Sequence, residues 1–274
     1  MIIIELLNEG KLGKADLCED MYVINDYFIA VIDGATNVSG RKINGKTPGR
    51  LAAELIKETI QNLPKDMLMS NMIEEINKNM QSAYKDFGIY EEIKENAWLA
   101  PTASLIVYSK HYHEIWQIGD CQCMIDGTLF TNEKKIDEIT ANARSMYLEA
   151  EIEKGKTIEE LLENDTGWNF IQELIQMQYN LQNVSDNQYG FEIINGFPVN
   201  LSTVKTIKVP NDAKQIVMAS DGYPFLKDTL KESEEILADI MEKDPLCFRI
   251  YKSSKGLNKG NHSFDDRTYI KFEV

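Results

Sequence analysis

Short apolar runs that end in an acid are the clearest pattern along this chain. Residues 28–32 are all apolar and lead directly into Asp33, and residues 215–219 are followed closely by Asp221. Runs this short, with no polar alternation, predict strands that are buried on both faces. A glycine follows each aspartate and allows the backbone to turn sharply or to approach a ligand closely.

A third run has the same character. Residues 113–118 read as a strand that ends in Gly119 and Asp120. Aspartate beside glycine is also an ordinary turn signal, which is the simpler interpretation of any single copy. Three copies at the ends of apolar strands are instead expected to deliver acids to one sheet edge, where carboxylates attract a divalent metal ion.

The rest of the pattern alternates strands and helices. Hairpins are predicted over residues 21–33 and 103–120, and the first would place Asp20 near Asp33. Helices are predicted over 50–63, 67–87, 134–182 and 232–242, and further strands over 1–7, 204–209 and a final segment after Asp265. No repeat or linker divides the chain. A single domain over residues 1–274 is therefore predicted, with a divergent helical or flap region around 131–200.

The charge balance limits the partners. The chain carries 29 Lys and Arg against 44 Asp and Glu, a net charge of −15, which argues against a nucleic-acid partner. The same charge favours metal cations and means that a phosphorylated substrate needs a local basic feature. Four cysteines without zinc or disulfide spacing, no signal-peptide pattern and no apolar run long enough for a membrane predict a cytoplasmic protein without a membrane partner.

One segment matches a nucleotide-binding pattern. Residues 40–47 read G-x-x-x-x-G-K-[ST] and include Lys46. A phosphate-binding loop begins where its strand ends, whereas polar residues separate Gly40 from Asp33, and Pro48 follows where the helix should continue. A P-loop nucleotide hydrolase is therefore the third interpretation of this chain.

The order of the motifs is more informative than any one of them. The set comprises Glu19-Asp20, Ile32-Asp33-Gly34, Pro101-Thr102-Ala103, Ile118-Gly119-Asp120, Ala219-Ser220-Asp221-Gly222 and Asp265-Asp266-Arg267-Thr268. It resembles the metal-dependent Ser/Thr protein phosphatases of type 2C, from about residue 11 to the C-terminus but only weakly over 131–200. The resemblance implies an α+β fold, a four-layer αββα sandwich of two mostly antiparallel sheets flanked by helices.

The same resemblance implies a site and an activity. Asp20, Asp33, Asp221 and Asp265 match the ligands of two bridged Mg²⁺ or Mn²⁺ ions, Gly34 matches a backbone-carbonyl ligand, and Asp120 matches an acid of a possible third ion. Asp33 and Asp221 are taken as the catalytic residues. The implied activity is hydrolysis of phosphomonoesters on Ser/Thr phosphoproteins, with a metal-bridging water as the nucleophile.

Two positions depart from the family. Ala15 stands where the family has a phosphate-binding arginine, so Lys14 beside it and Lys46 on the loop after Gly34 are predicted to bind the substrate phosphate. Ala35 stands where a histidine general acid is usual, and loss of a general acid typically costs a factor of ~10²–10⁴ in rate. The second interpretation is accordingly a non-catalytic type 2C-like regulatory or binding module that keeps metal or phosphoprotein binding.

Overall fold

The computed structural model describes residues 1–274 and contains ten strands and seven α-helices. The strands are β1 (Ile2–Glu9), β2 (Met21–Ile24), β3 (Phe28–Gly34), β4 (Ala103–Ser109), β5 (Glu114–Ile118), β6 (Gln122–Ile125), β7 (Thr128–Phe130), β8 (Lys205–Lys208), β9 (Gln215–Ala219) and β10 (Arg267–Glu273). The helices are α1 (Pro48–Gln61), α2 (Met69–Asp86), α3 (Tyr90–Glu95), α4 (Lys135–Glu153), α5 (Ile158–Glu163), α6 (Thr166–Gln178) and α7 (Leu230–Lys243).

The strands form two five-stranded sheets in which every pairing is antiparallel. Their orders are β1-β10-β9-β6-β7 and β2-β3-β4-β5-β8. The predicted α+β sandwich is confirmed by this arrangement.

Strand β3 shows why its apolar run does not alternate. Ile29 and Val31 pack between the two sheets, against a core that includes Met218 and Phe272 of the other sheet. The alternate residues of β3 pack in a second core beneath α1 and α2. Because both faces of the strand are covered, polar side chains have no place on either face.

The two predicted hairpins are present. In the first, Met21 pairs with Ile32, so the preceding Asp20 lies across the sheet from Asp33, as the sequence predicted. In the second, β4 pairs with β5.

The expectation that three strands deliver acids to one sheet edge is wrong. β3 and β5 belong to one sheet and β9 belongs to the other. The acids therefore meet from two facing sheets. An apolar run reveals that a strand is buried, but it does not reveal which sheet the strand joins.

The helical region predicted over 134–182 divides into α4, α5 and α6. Thr157 begins α5 with a capping box, and the Asp165 carboxylate begins α6 by accepting the backbone N–H of Trp168 at 2.8 Å. None of the helices is long and apolar enough to cross a membrane.

A buried arginine connects this helical region to a distant loop. Arg144 of α4 is fully buried and lies 2.5 Å from the carboxylate of Asp165. Its guanidinium also donates to the carbonyl oxygens of Leu246 at 2.8 Å and Ser253 at 3.0 Å. The loop over residues 246–256 is thereby fixed against α4.

The segment that matches the P-loop pattern has another role. β3 ends at Gly34, well before Gly40, and Thr47 caps α1 by accepting the backbone N–H of Arg50 at 3.4 Å. The Lys46 ammonium group is paired with Glu54 on the next turns of that helix. The segment begins a helix and does not follow its strand in the way that a phosphate-binding loop requires.

Candidate functional site

Four of the predicted acids line one cavity of about 430 Å³. Asp33 is the penultimate residue of β3, Asp120 follows β5, Asp221 follows β9 and Asp265 precedes β10. The cavity lies where the ends of the two sheets meet, and the divergent region contributes Trp168 and other residues to its wall. Strands that are far apart in the chain thus place the aspartate side chains at their ends around one cavity.

Asp33 and Asp221 are the acids without a partner. No hydrogen bond or ion pair of the protein reaches either carboxylate. Burial raises the pKa of Asp33 well above its usual value, and the nearby charges of Asp20, Asp120 and Asp265 raise it further. Burial raises the pKa of Asp221 in the same way, with Asp33, Asp120 and Asp265 adding to the rise. Two carboxylates in this state gain most from a bound cation.

Both oxygens of Asp120 are already engaged. Oδ1 accepts a hydrogen bond from the Ser104 hydroxyl at 2.5 Å, and Oδ2 lies 2.6 Å from Nζ of Lys134. Burial alone would raise the pKa of Asp120, but the charge of Lys134 and the hydrogen bonds outweigh it and the pKa is lowered. Asp120 is therefore a stable carboxylate that already has its cation.

Asp265 is engaged on both oxygens as well. Oδ1 lies 3.5 Å from Nζ of Lys11 and accepts the backbone N–H of Asp266 at 2.9 Å, while Oδ2 is paired with the ammonium group of Lys255. Burial would raise the pKa of Asp265, yet Lys255 and Lys11 outweigh that effect and lower it. Lys255 also donates to the Thr36 hydroxyl at 2.8 Å, so its side chain crosses from the Asp265 segment to the segment after Asp33.

Asp20 lies behind the cavity wall. Its side chain is almost completely buried and accepts a hydrogen bond from the Thr268 hydroxyl at 3.1 Å. Burial raises the pKa of Asp20 to about 8, and the surrounding aspartates add to the rise. Asp20 thus joins Asp33 and Asp221 as an acid without an ion-pair partner.

Gly34 is required by close packing at the end of β3. A Cβ atom at this position would lie 2.5 Å from the carbonyl oxygen of Glu19 and 2.6 Å from that of Gly49. Any side chain would push these segments apart. The glycine therefore allows the Asp20 segment and the start of α1 to lie against Asp33.

A further acid, Asp266, ties the site together from behind. Its carboxylate accepts the backbone N–H of Lys11 at 2.8 Å and that of Glu19 at 3.0 Å. It joins the start of β10 to the loop that precedes Asp20. The Oε1 atom of the neighbouring Glu19 is buried without a hydrogen-bond partner, which leaves one more oxygen ligand available in this acidic region.

The oxygen atoms of the unpaired acids suit a divalent ion. Mg²⁺ and Mn²⁺ prefer carboxylate oxygens, and Asp33, Asp221 and Asp20 supply such oxygens without competing partners. No three acidic, histidine or cysteine side chains converge on one point closely enough to hold an ion as they stand. The uncompensated acids fit a divalent cation by their chemistry, whereas Asp120 and Asp265 are already bound to lysines.

The two lysines predicted to bind phosphate lie outside the cavity. Lys14 is exposed in the loop after β1, and Lys46 is paired with Glu54. Their assignment stays a prediction. The cavity is lined by Lys252 and by two lysines that pair with its acids, Lys134 and Lys255. Sequence reasoning missed both, because each lies in a polar loop with no periodic signal and reaches the acids only through the folded chain.

The protein is similar to solved structures of bacterial phosphatases. The serine/threonine phosphatase PstP of Mycobacterium tuberculosis is 15% identical, with 100% of this chain and 99% of that chain covered and a TM-score of 0.46. Stp1 from Staphylococcus aureus is 14% identical, with 100% and 95% covered and a TM-score of 0.48. The catalytic domain of PstP in complex with 2 manganese ions is 13% identical over 100% of both chains, with a TM-score of 0.45.

Comparison with family models found no match to this chain. Comparison with curated proteins found none either.

Proposed function

We propose that this protein is a metal-dependent phosphomonoester hydrolase whose substrates are phosphorylated proteins. One observation carries the proposal. Both sheets bring acids to one cavity, and Asp33 and Asp221 have no partner in the protein. The acids that line the cavity belong to the motifs whose order resembles that of the type 2C phosphatases.

The residues suit this chemistry in distinct ways. Asp33 and Asp221, with Asp20 behind them, would hold Mg²⁺ or Mn²⁺, and the buried backbone at Gly34 lies beside them. Such ions, when bound, activate water and neutralise charge on phosphate oxygens. No serine, cysteine or histidine nucleophile is needed, and Ala35 in the cavity wall supplies no proton.

Lys134 and Lys255 would serve the substrate. A phosphate dianion entering a cavity lined by aspartates is repelled unless positive charge is nearby. The two lysines provide that charge as single ammonium groups and lack the two-pronged grip of arginine. Substrate phosphate would accordingly be oriented loosely.

Release of phosphate from an aryl phosphate is the decisive test. Turnover with Mn²⁺ that EDTA abolishes, and that Asp33→Asn also abolishes, would support the proposal. Asp212→Asn is the matched control, because Asp212 is an exposed carboxylate in the turn between β8 and β9 and does not line the cavity. Turnover that survives EDTA and Asp33→Asn would refute it.

A non-catalytic binding module is the second candidate. The observation that favours it is the pairing of Asp120 and Asp265 with lysines, together with alanine at positions 15 and 35. This candidate predicts that phosphopeptides bind in the presence of Mn²⁺ without being hydrolysed.

A further inference from the structure

Only some of the acids around the cavity are paired with a lysine. Three acids, Asp20, Asp33 and Asp221, have no ammonium partner, while Asp120 and Asp265 each have one. A divalent ion binds to oxygens with free lone pairs, so the two groups of acids offer very different affinities.

At Asp265 the competition is most severe. Lys11 and the Asp266 backbone N–H occupy Oδ1, and Lys255 occupies Oδ2. A metal ion at this carboxylate would have to displace an ammonium group and would then lie beside its positive charge. A positive charge about 4–6 Å away weakens the affinity of a carboxylate for a cation, a proton included, by roughly tenfold or more.

Lys255 does not have the freedom of a surface lysine. Its loop is held by buried Arg144, which donates to the carbonyl oxygen of Ser253 at 3.0 Å. The Lys255 backbone N–H in turn donates to the Ser253 hydroxyl at 3.3 Å. The Lys255 ammonium group also donates to Thr36 at 2.8 Å. Fixed at its backbone and at its tip, the side chain has little room to leave Asp265.

We infer that Lys255 is a built-in replacement for one divalent cation, so that the protein binds one tight ion at Asp33 and Asp221 instead of two. The inference rests on the proposed metal-dependent function. It goes beyond that function because it states that Lys255 occupies the Asp265 carboxylate, which a second ion would need as a ligand. The Lys255 ammonium group thus holds Asp265 in place whether or not a metal ion is bound.

Counting bound ions tests this directly. Native mass spectrometry and titration calorimetry with Mn²⁺ should give one tight ion for the parent protein. Lys255→Met, which keeps most of the length of the side chain and removes its charge, should give two. Affinity for the second ion should rise by about tenfold or more, as expected for removal of a charge at this range. Lys252→Met is the matched control in the same loop, because Lys252 also lines the cavity but is exposed and donates to Asn142 at 2.9 Å instead of pairing with an acid. It should keep the parent count.

Electron paramagnetic resonance gives a readout that is independent of turnover. A single Mn²⁺ gives a six-line spectrum, and a pair of bridged ions in Lys255→Met should give a coupled spectrum. Two tight ions in the parent protein, unchanged in Lys255→Met, would overturn the assignment of Lys255 and leave the metal-dependent function standing. Absence of Mn²⁺ binding in both proteins would overturn the assignment of Lys255 and the metal-dependent function together. Circular dichroism would confirm that Lys255→Met is folded.

Discussion

Nζ of Lys134 lies 2.6 Å from Oδ2 of Asp120, and both side chains are largely buried. The pair joins the loop after β5 to the start of α4, and the ammonium group also lies over the Phe191 ring at 5.3 Å from its centroid. The acid that the sequence assigned to a possible third metal ion is therefore also a structural partner of the helical region.

Removal of Asp120 should consequently destabilise the fold. Asp120→Ala leaves the buried Lys134 ammonium group with only the 3.5 Å contact to Asp137, and breaking a buried pair in this way costs about 3–5 kcal/mol. Urea denaturation should show that loss in the presence of EDTA. The double variant Asp120→Ala, Lys134→Met should recover much of it, because no charge is then stranded. Equal stability of Asp120→Ala and the parent protein would show that the pair contributes little.

Asp33→Asn and Asp221→Asn should lower turnover without destabilising the fold. Each should lower turnover by about 100-fold or more, at or above the loss seen when the outer partners of a metal ion are removed. The melting temperature of the metal-free protein should stay equal or rise, because each change relieves repulsion among buried carboxylates. Calorimetry with EDTA measures this, and strong destabilisation with retained activity would make the acid a structural turn residue.

The stability of the metal-free protein should depend on pH in a defined direction. The pKa of Asp20 is raised by burial from 3.8 to about 8, so between these values the folded state holds a proton that the unfolded state has lost. The free energy of unfolding therefore falls as pH rises through this window, by up to about 1.4 kcal/mol per pH unit for one such group. The pKa values of Asp33 and Asp221 are also raised and act in the same direction.

Two comparisons isolate this effect. Asp20→Asn should flatten the decline, and saturating Mn²⁺ should abolish or reverse it, because a cation favours the charged carboxylates. Denaturation curves at several pH values, with and without EDTA, provide the measurement. Stability that increases from pH 5 to pH 8 in EDTA would contradict the charge arrangement described above.

Neither Lys14 nor Lys46 should affect substrate binding if phosphate is attracted by the lysines within the cavity. Lys14→Ala and Lys46→Ala should each leave KM within about twofold of the parent, and Lys46→Ala should lose only a partly exposed ion pair worth about 0–1 kcal/mol. Initial-rate measurements with several phosphorylated substrates decide this. A large rise in KM for Lys14→Ala would restore the sequence-based assignment.

Arg144 should be more important for stability than an arginine that makes equally short contacts at the surface. Arg144→Met removes a buried cation from Asp165 and from the carbonyl groups of the 246–256 loop, a change expected to cost about 3–5 kcal/mol. Arg249→Met is the control, because Arg249 lies 2.7 Å from Glu149 at the surface and such pairs contribute about 0–1 kcal/mol. Limited proteolysis should cut the loop faster in Arg144→Met alone.

The sequence predicted the positions of the acids well because strand ends are local features. The apolar runs, the turn residues and the pairing of Asp20 with Asp33 all follow from spacing along one segment of the chain. The number of sheets followed only from the motif resemblance, since an apolar run has the same appearance in either sheet. The assumption of one sheet edge was wrong for that reason.

The lysine partners were beyond the reach of the sequence. Lys255 meets Asp265 across a loop whose course depends on buried Arg144, and Lys134 meets Asp120 where a divergent helix begins. Neither contact has a periodic pattern or a fixed spacing. Pairings of this kind depend on how loops pack on the finished core, which single-sequence patterns do not encode.

The pairing of β1 with β10 has a consequence for how the protein folds. Asn8 of β1 donates to Thr268 of β10 at 2.8 Å across a separation of 260 residues. Contacts between such distant segments form slowly because a long stretch of chain must be ordered before they are gained. Asp221, Asp265 and Asp266 belong to the sheet of β9 and β10, so they meet the acids of the other sheet only when the sandwich closes. We expect that closure to be the slow step of refolding, which makes it the stage at which an added cation accelerates the formation of the native topology.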